Sequence, residues 1–98
     1  MVKIVWVFVA RPERVAEFEE RYGSEGDWAK LFRRGHGYGG TEMWGSVESP
    51  GTYLVTDSWD SAKDFAQFKE RFGAEYAELD RECEELTLEE RKVGVFTS

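Results

Sequence analysis

The stretch Val2–Ala10, VKIVWVFVA, constrains this chain more than any other. It is rich in β-branched and aromatic residues, which favour strands, and it is apolar at both parities. Ile4, Trp6 and Phe8 make one face, and Val5, Val7 and Val9 the other. Such a strand needs cover on both sides. A chain of 98 residues is expected to form one domain, residues 1–98, with a modest core. One layer of helices covers one face of its sheet. The second cover then has to come from another chain or from a ligand. With one lysine and no small-residue cleavage pattern, the stretch reads as a buried strand and not as a signal peptide.

The remaining elements follow from periodicity and punctuation. Pro12 suits a first helical turn, after which Val15, Phe18 and Tyr22 fall on one stripe and Gly23 ends the helix. Ser24 and Asp27 resemble a capping box for a short second helix carrying Trp28, Leu31 and Phe32, closed by Arg33 and Arg34. Gly35–Gly45 holds the only histidine and half of the ten glycines. It leads into a strand over 41–47, and Ser49-Pro50-Gly51 turns the chain into a second strand over 52–59, a hairpin. Asp60 or Ser61, with Asp64 in the box position, caps a long helix. Its stripe runs through Phe65, Phe68, Phe72, Tyr76, Leu79, Cys83 and Leu86, and Gly73 predicts a kink or break. A short strand over 91–97 closes the chain. The order strand, helix, strand, strand, helix, strand is the split βαβ, ferredoxin-like plan: an α+β fold with a four-stranded antiparallel sheet and helices on one face. The bare sheet face predicts a homodimer packed sheet to sheet, a dimeric α/β barrel.

Composition excludes some partners. A net charge of −7 argues against nucleic acid, whose binding rests on Lys and Arg displacing counterions, and against an anionic membrane surface. No run is long enough for a membrane span. The single cysteine, Cys83, cannot form an intrachain disulfide and fits a reducing, cytoplasmic setting. On an apolar helix stripe it is expected to be buried and inert.

The run DWAKLFRRGHGYGGTEM, the hairpin segment TYLVTDSWDS and the tail EYAELDRECEELTLEERKVGVF resemble the antibiotic biosynthesis monooxygenase-like proteins of the dimeric α/β-barrel superfamily. The resemblance spans nearly the whole chain. It implies a homodimer with a pocket between helices and sheet in each protomer. The activities it brings with it include cofactor-independent oxidation of polycyclic aromatic quinols, haem degradation and polyketide cyclisation. The haem-degrading branch carries a helical axial histidine assisted by an asparagine, and the quinol-oxidising branch also uses an asparagine. This chain has no asparagine, and His36 lies in a glycine-rich connection, so no catalytic residue transfers from either branch.

The residues themselves offer two candidates for proton transfer. His36 is the one side chain whose ordinary pKa lies near neutrality; it also fits a solvated loop position past a helix C-terminus. Asp57 stands between Val55 and Trp59 on one strand face, where burial would raise its pKa and make it a base. The other reading is an ion pair with Arg33, Arg34 or a partner-chain arginine. Glu42 on the neighbouring strand has the same two readings. Tyr22, Trp28, Phe32, Tyr38, Trp44 and Trp59 can wall a flat aromatic or apolar ligand or simply pack a core. The glycines lack the Gly-Lys-Ser/Thr ending of a phosphate loop. The acidic run from Glu75 to Glu85 reads as a solvated helix face, so no metal and no cofactor is expected. The expectation is a cofactor-independent monooxygenase for a small, flat aromatic substrate. The alternatives are a non-catalytic binding or protective homodimer, or a haem-binding member.

Overall fold

The computed structural model describes Met1–Ser98 and contains one four-stranded sheet. Its strands are β1 (Val2–Ala10), β2 (Tyr38–Gly45), β3 (Thr52–Trp59) and β4 (Thr87–Thr97), in the spatial order β2-β3-β1-β4 with every neighbouring pair antiparallel. This is the ferredoxin-like α+β plan expected from the order of elements. β1 lies between β3 and β4, which accounts for its apolar character. The pleat sends Ile4 and Phe8 into the core, while Val5, Val7 and Val9 stay half-exposed on the opposite face.

The helices α1 (Val15–Tyr22), α2 (Asp27–Phe32), α3 (Ala62–Arg71) and α4 (Gly73–Cys83) supply the other core layer. Phe18, Tyr22, Trp28, Phe32, Phe68 and Phe72 pack there against Ile4, Phe8, Tyr53, Val55 and Trp59. Residues 12–14 form a 3-10 turn before α1, and 84–86 another after α4. Ser61 caps α3, its hydroxyl accepting the Asp64 N–H at 3.1 Å. The long carboxy-terminal helix breaks at Gly73, as its sequence suggested.

Three boundaries depart from expectation. No side chain caps α2, because Gly26 and not Ser24 occupies the N-cap. A Cβ on Gly26 would lie 2.4 Å from the carbonyl oxygens of Glu20 and Arg21, so close approach to the end of α1 selects glycine there. β2 begins at Tyr38 and ends at Gly45, earlier than the 41–47 span. β4 begins at Thr87 instead of Arg91: it is an edge strand rich in charged residues, which hide the strand pattern.

Candidate functional site

Between the helix layer and the sheet lies a cavity of about 50 Å³ that opens to solvent. Strand parity determines what lines it. Trp6 and Phe8 come from β1, Thr41 from β2, Val55 and Asp57 from β3, and Glu90 from β4. Tyr22, Trp28 and Phe32 close it from α1 and α2, and Tyr76 and Asp80 from α4. The rings interlock. Phe8 meets Tyr22 with centroids 4.8 Å apart, and Trp28 meets Tyr76 edge-on at 5.1 Å.

Asp57 is the one strongly buried carboxylate, 7% exposed. Its pairing partner across the hairpin is Thr41, whose hydroxyl donates to Asp57 Oδ1 at 2.6 Å. Tyr38 Oη lies 2.5 Å from the same Thr41 Oγ1. Thr41 has one proton and gives it to Asp57, so Tyr38 is the donor in that second bond. The result is a chain of hydroxyls, Tyr38 to Thr41 to Asp57, reaching the cavity. No hydrogen bond reaches Asp57 Oδ2. Burial pushes the Asp57 pKa up to about 6, with the Thr41 hydrogen bond pulling against it. Burial also pushes Tyr76 up to about 12, helped by the negative charges of Asp80, Asp57 and Glu90. Tyr22 rises for the same first reason, with Cys83 adding to it. The buried indole N–H of Trp28 is near enough to Tyr22 and Cys83 to influence both groups, yet meets neither at hydrogen-bonding geometry.

The expected candidates therefore separate. Tyr22, Trp28, Phe32 and Asp57 meet at the cavity. Tyr38 stands behind Thr41. Trp59 is fully buried beneath, against Phe32 and Tyr38. Trp44 lies on the opposite sheet face, 61% exposed: it pairs with Leu54, and its parity is opposite to that of Thr41 and Met43. It is not a wall of this cavity. His36 is exposed in a different groove beside Asp64, Gln67 and Arg71, and that groove shares no lining residue with the cavity. No arginine pairs with Asp57. Arg33 bonds Glu25 at 3.1 Å and Arg34 reaches Glu75 at 3.7 Å. Glu42 is exposed beside Lys3 at 3.4 Å. Cys83 is buried, and burial raises its thiol pKa.

The structure adds lining residues that the sequence reading passed over, namely Trp6, Phe8, Thr41, Val55, Tyr76, Asp80 and Glu90. Two carried a usable signal: Trp6 shares the parity of Ile4 and Phe8, and Thr41 falls opposite Asp57 once the hairpin register is fixed. A second unforeseen grouping is on the surface. His36, Asp60 and Asp64 each bring one donor atom to within 4.8 Å of the others. They are suitable hard and borderline donors for a divalent metal, although two of the three are exposed. Gly37, with φ of +88°, makes this packing possible, since a Cβ there would lie 2.5 Å from Asp64 Oδ2.

The fold is that of solved structures described as antibiotic biosynthesis monooxygenases. A protein from Deinococcus radiodurans assigned by inference to that activity matches with a TM-score of 0.75 at 17% identity, covering 100% of this chain and 92% of its own. A counterpart from Bordetella bronchiseptica gives 0.76 at 20%, covering 99% and 95%. SnoaB, a cofactor-independent oxygenase from Streptomyces nogalater, gives 0.75 at 21%, covering 99% and 91%. At these identities the similarity is one of fold. No protein-family model matches the sequence, and no curated protein matches it.

Proposed function

We propose that the chain is a cofactor-independent monooxygenase acting on a small aromatic substrate at the Asp57 cavity. The observation that carries this reading is a buried carboxylate with one unbonded oxygen, set among aromatic walls, with its pKa raised to about 6. A base is most effective when its pKa lies near the working pH. Asp57 would remove a proton from an activated phenol or from a methylene between aromatic rings. The resulting anion passes an electron to dioxygen. One oxygen atom then enters the substrate as a carbonyl and the other leaves as water. Tyr38 and Thr41 would orient Asp57 and stabilise its charge. The likeness in fold to SnoaB supports the reaction class.

The cavity limits the substrate. At about 50 Å³ it is smaller than the roughly 150 Å³ that holds a benzene ring, so it accepts one end of a ligand with the remainder at the mouth. Oxygen uptake tested on a panel of anthrones, naphthoquinols and single-ring catechols decides the matter. Turnover that falls by about two orders of magnitude or more in Asp57→Asn supports the assignment, and unchanged turnover removes Asp57 from it.

A second reading, a non-catalytic binding or protective protein, is favoured by the absence of asparagine and by the small cavity. Native mass spectrometry of freshly purified protein would reveal a co-purifying ligand. A haem-binding role finds its only histidine outside the cavity; a Soret band on haem titration would restore it. The proposal includes a cytoplasmic homodimer joined through the open sheet face, where Trp44, Leu54 and Phe96 are exposed and Val5, Val7 and Val9 only half-covered.

A further inference from the structure

The cavity is acidic all the way from floor to mouth. Asp57 lies deep, Asp80 reaches in from α4 and Glu90 from β4, while no lysine or arginine lines it. None of the three carboxylates takes part in an ion pair, although Arg14, Arg21, Arg33, Arg34 and Lys3 all do elsewhere. Trp6, Trp28 and Tyr76 add ring faces that carry negative charge density and attract cations. Tyr76 already has the Lys69 ammonium 5.1 Å from its ring centre.

We infer that the cavity receives an organic cation: a small molecule with a protonated or methylated ammonium head, which enters among Asp57, Asp80 and Glu90 against the indole and phenol rings. This names the ligand class of the site in the proposed function and rests on that site being the binding cavity. Size agrees, because about 50 Å³ admits an ammonium head and a few carbons while an attached ring stays at the mouth. A cation also supplies what the site lacks. No cation of the protein is paired with any of the three carboxylates. The Glu90 pKa is raised first by burial and then by Asp80 and Glu84. Every other titratable group facing the floor, Tyr22 from α1, Tyr38 behind Thr41 and Tyr76 from α4, is neutral. Lys92, on the same edge strand as Glu90 and paired in register with Trp6, is exposed and forms no ion pair; it and Lys69, over the Tyr76 ring, are the chain's own cations near the cavity.

Three ligands of similar shape test the inference: phenethylamine, 2-phenylethanol and 3-phenylpropanoate, titrated near neutral pH while the indole N–H resonances of Trp6 and Trp28 are followed. Phenethylamine is expected to bind at least about tenfold more tightly than 2-phenylethanol, and 3-phenylpropanoate least. Asp80→Asn and Glu90→Gln, both exposed and harmless to folding, are expected to lower the phenethylamine affinity about threefold each and to leave 2-phenylethanol unchanged. Equal binding of amine and alcohol overturns the cation inference while leaving the cavity a ligand site. If none of the three moves the indole resonances, the inference and the binding-site reading fall together.

Discussion

Thr41 and Asp57 face each other across the β2–β3 ladder, joined by a 2.6 Å hydrogen bond from hydroxyl to carboxylate. That contact is the main brake on the rise of the Asp57 pKa. Replacing Thr41 with Val keeps the shape and removes the donor. The Asp57 pKa is expected to move above 6, so the acidic limb of any turnover or binding profile shifts to higher pH. Carboxyl-carbon NMR titration measures the shift, and an unmoved or lowered value would contradict the account of the pair.

Burial raises Asp57 from an ordinary 3.8 to about 6. Between those values the folded chain keeps a proton that the unfolded chain has already lost. The contribution to stability is therefore full below the lower value and disappears as pH rises through the upper one. Relative to Asp57→Asn, the native protein is expected to lose about 3 kcal/mol of folding stability between about pH 4 and pH 7. Urea denaturation of both proteins across that range checks the slope and its sign.

Trp59 is fully buried among Phe32, Tyr38, Phe65 and Phe68. Trp59→Ala leaves a large void and is expected to cost about 3–5 kcal/mol. Trp59→Phe costs much less, because the Trp59 indole N–H has no acceptor and its removal relieves an unmet hydrogen bond. Thermal and urea unfolding of the two variants give the comparison.

Trp44 projects from the open sheet face beside Leu54. If two copies meet there, Trp44→Lys converts the dimer to a monomer in sedimentation velocity while far-ultraviolet circular dichroism stays native. A variant that sediments as the native protein does argues for a different interface.

His36→Ala is expected to leave ligand binding at the Asp57 cavity unchanged and to alter stability by less than about 0.5 kcal/mol, since an exposed side chain away from the core has little to lose. A loss of turnover would return His36 to the mechanism.

The architecture was legible because its signals are local and strong. β1 is apolar throughout, Phe65 to Leu86 keep a helical stripe, and Gly73 interrupts it. The beginning of β4 was hidden because Glu89 and Glu90 lie on an edge strand, where pairing depends on a distant neighbour and not on composition. The site was half legible for the same reason. Asp57 stood out as a carboxylate inside an apolar strand, but Trp44 and Trp59 look alike in sequence until the hairpin register sends them to opposite sides. Asp80 and Glu90 were indistinguishable from the solvated acids around them, and only the packing of α4 over the sheet aims them at one cavity.

The central position of β1 has a consequence for how the chain is made. Val2 pairs with Trp59 on one side and with Thr97 on the other, so β1 leaves the ribosome well before its second neighbour, β4, is made. Until then an apolar ribbon has one hydrogen-bonding edge open, the form most prone to join another chain. Folding that depends on such distant pairings is slow, and the yield of native protein should depend on the speed of translation and on chaperones that shield β1 until β4 arrives.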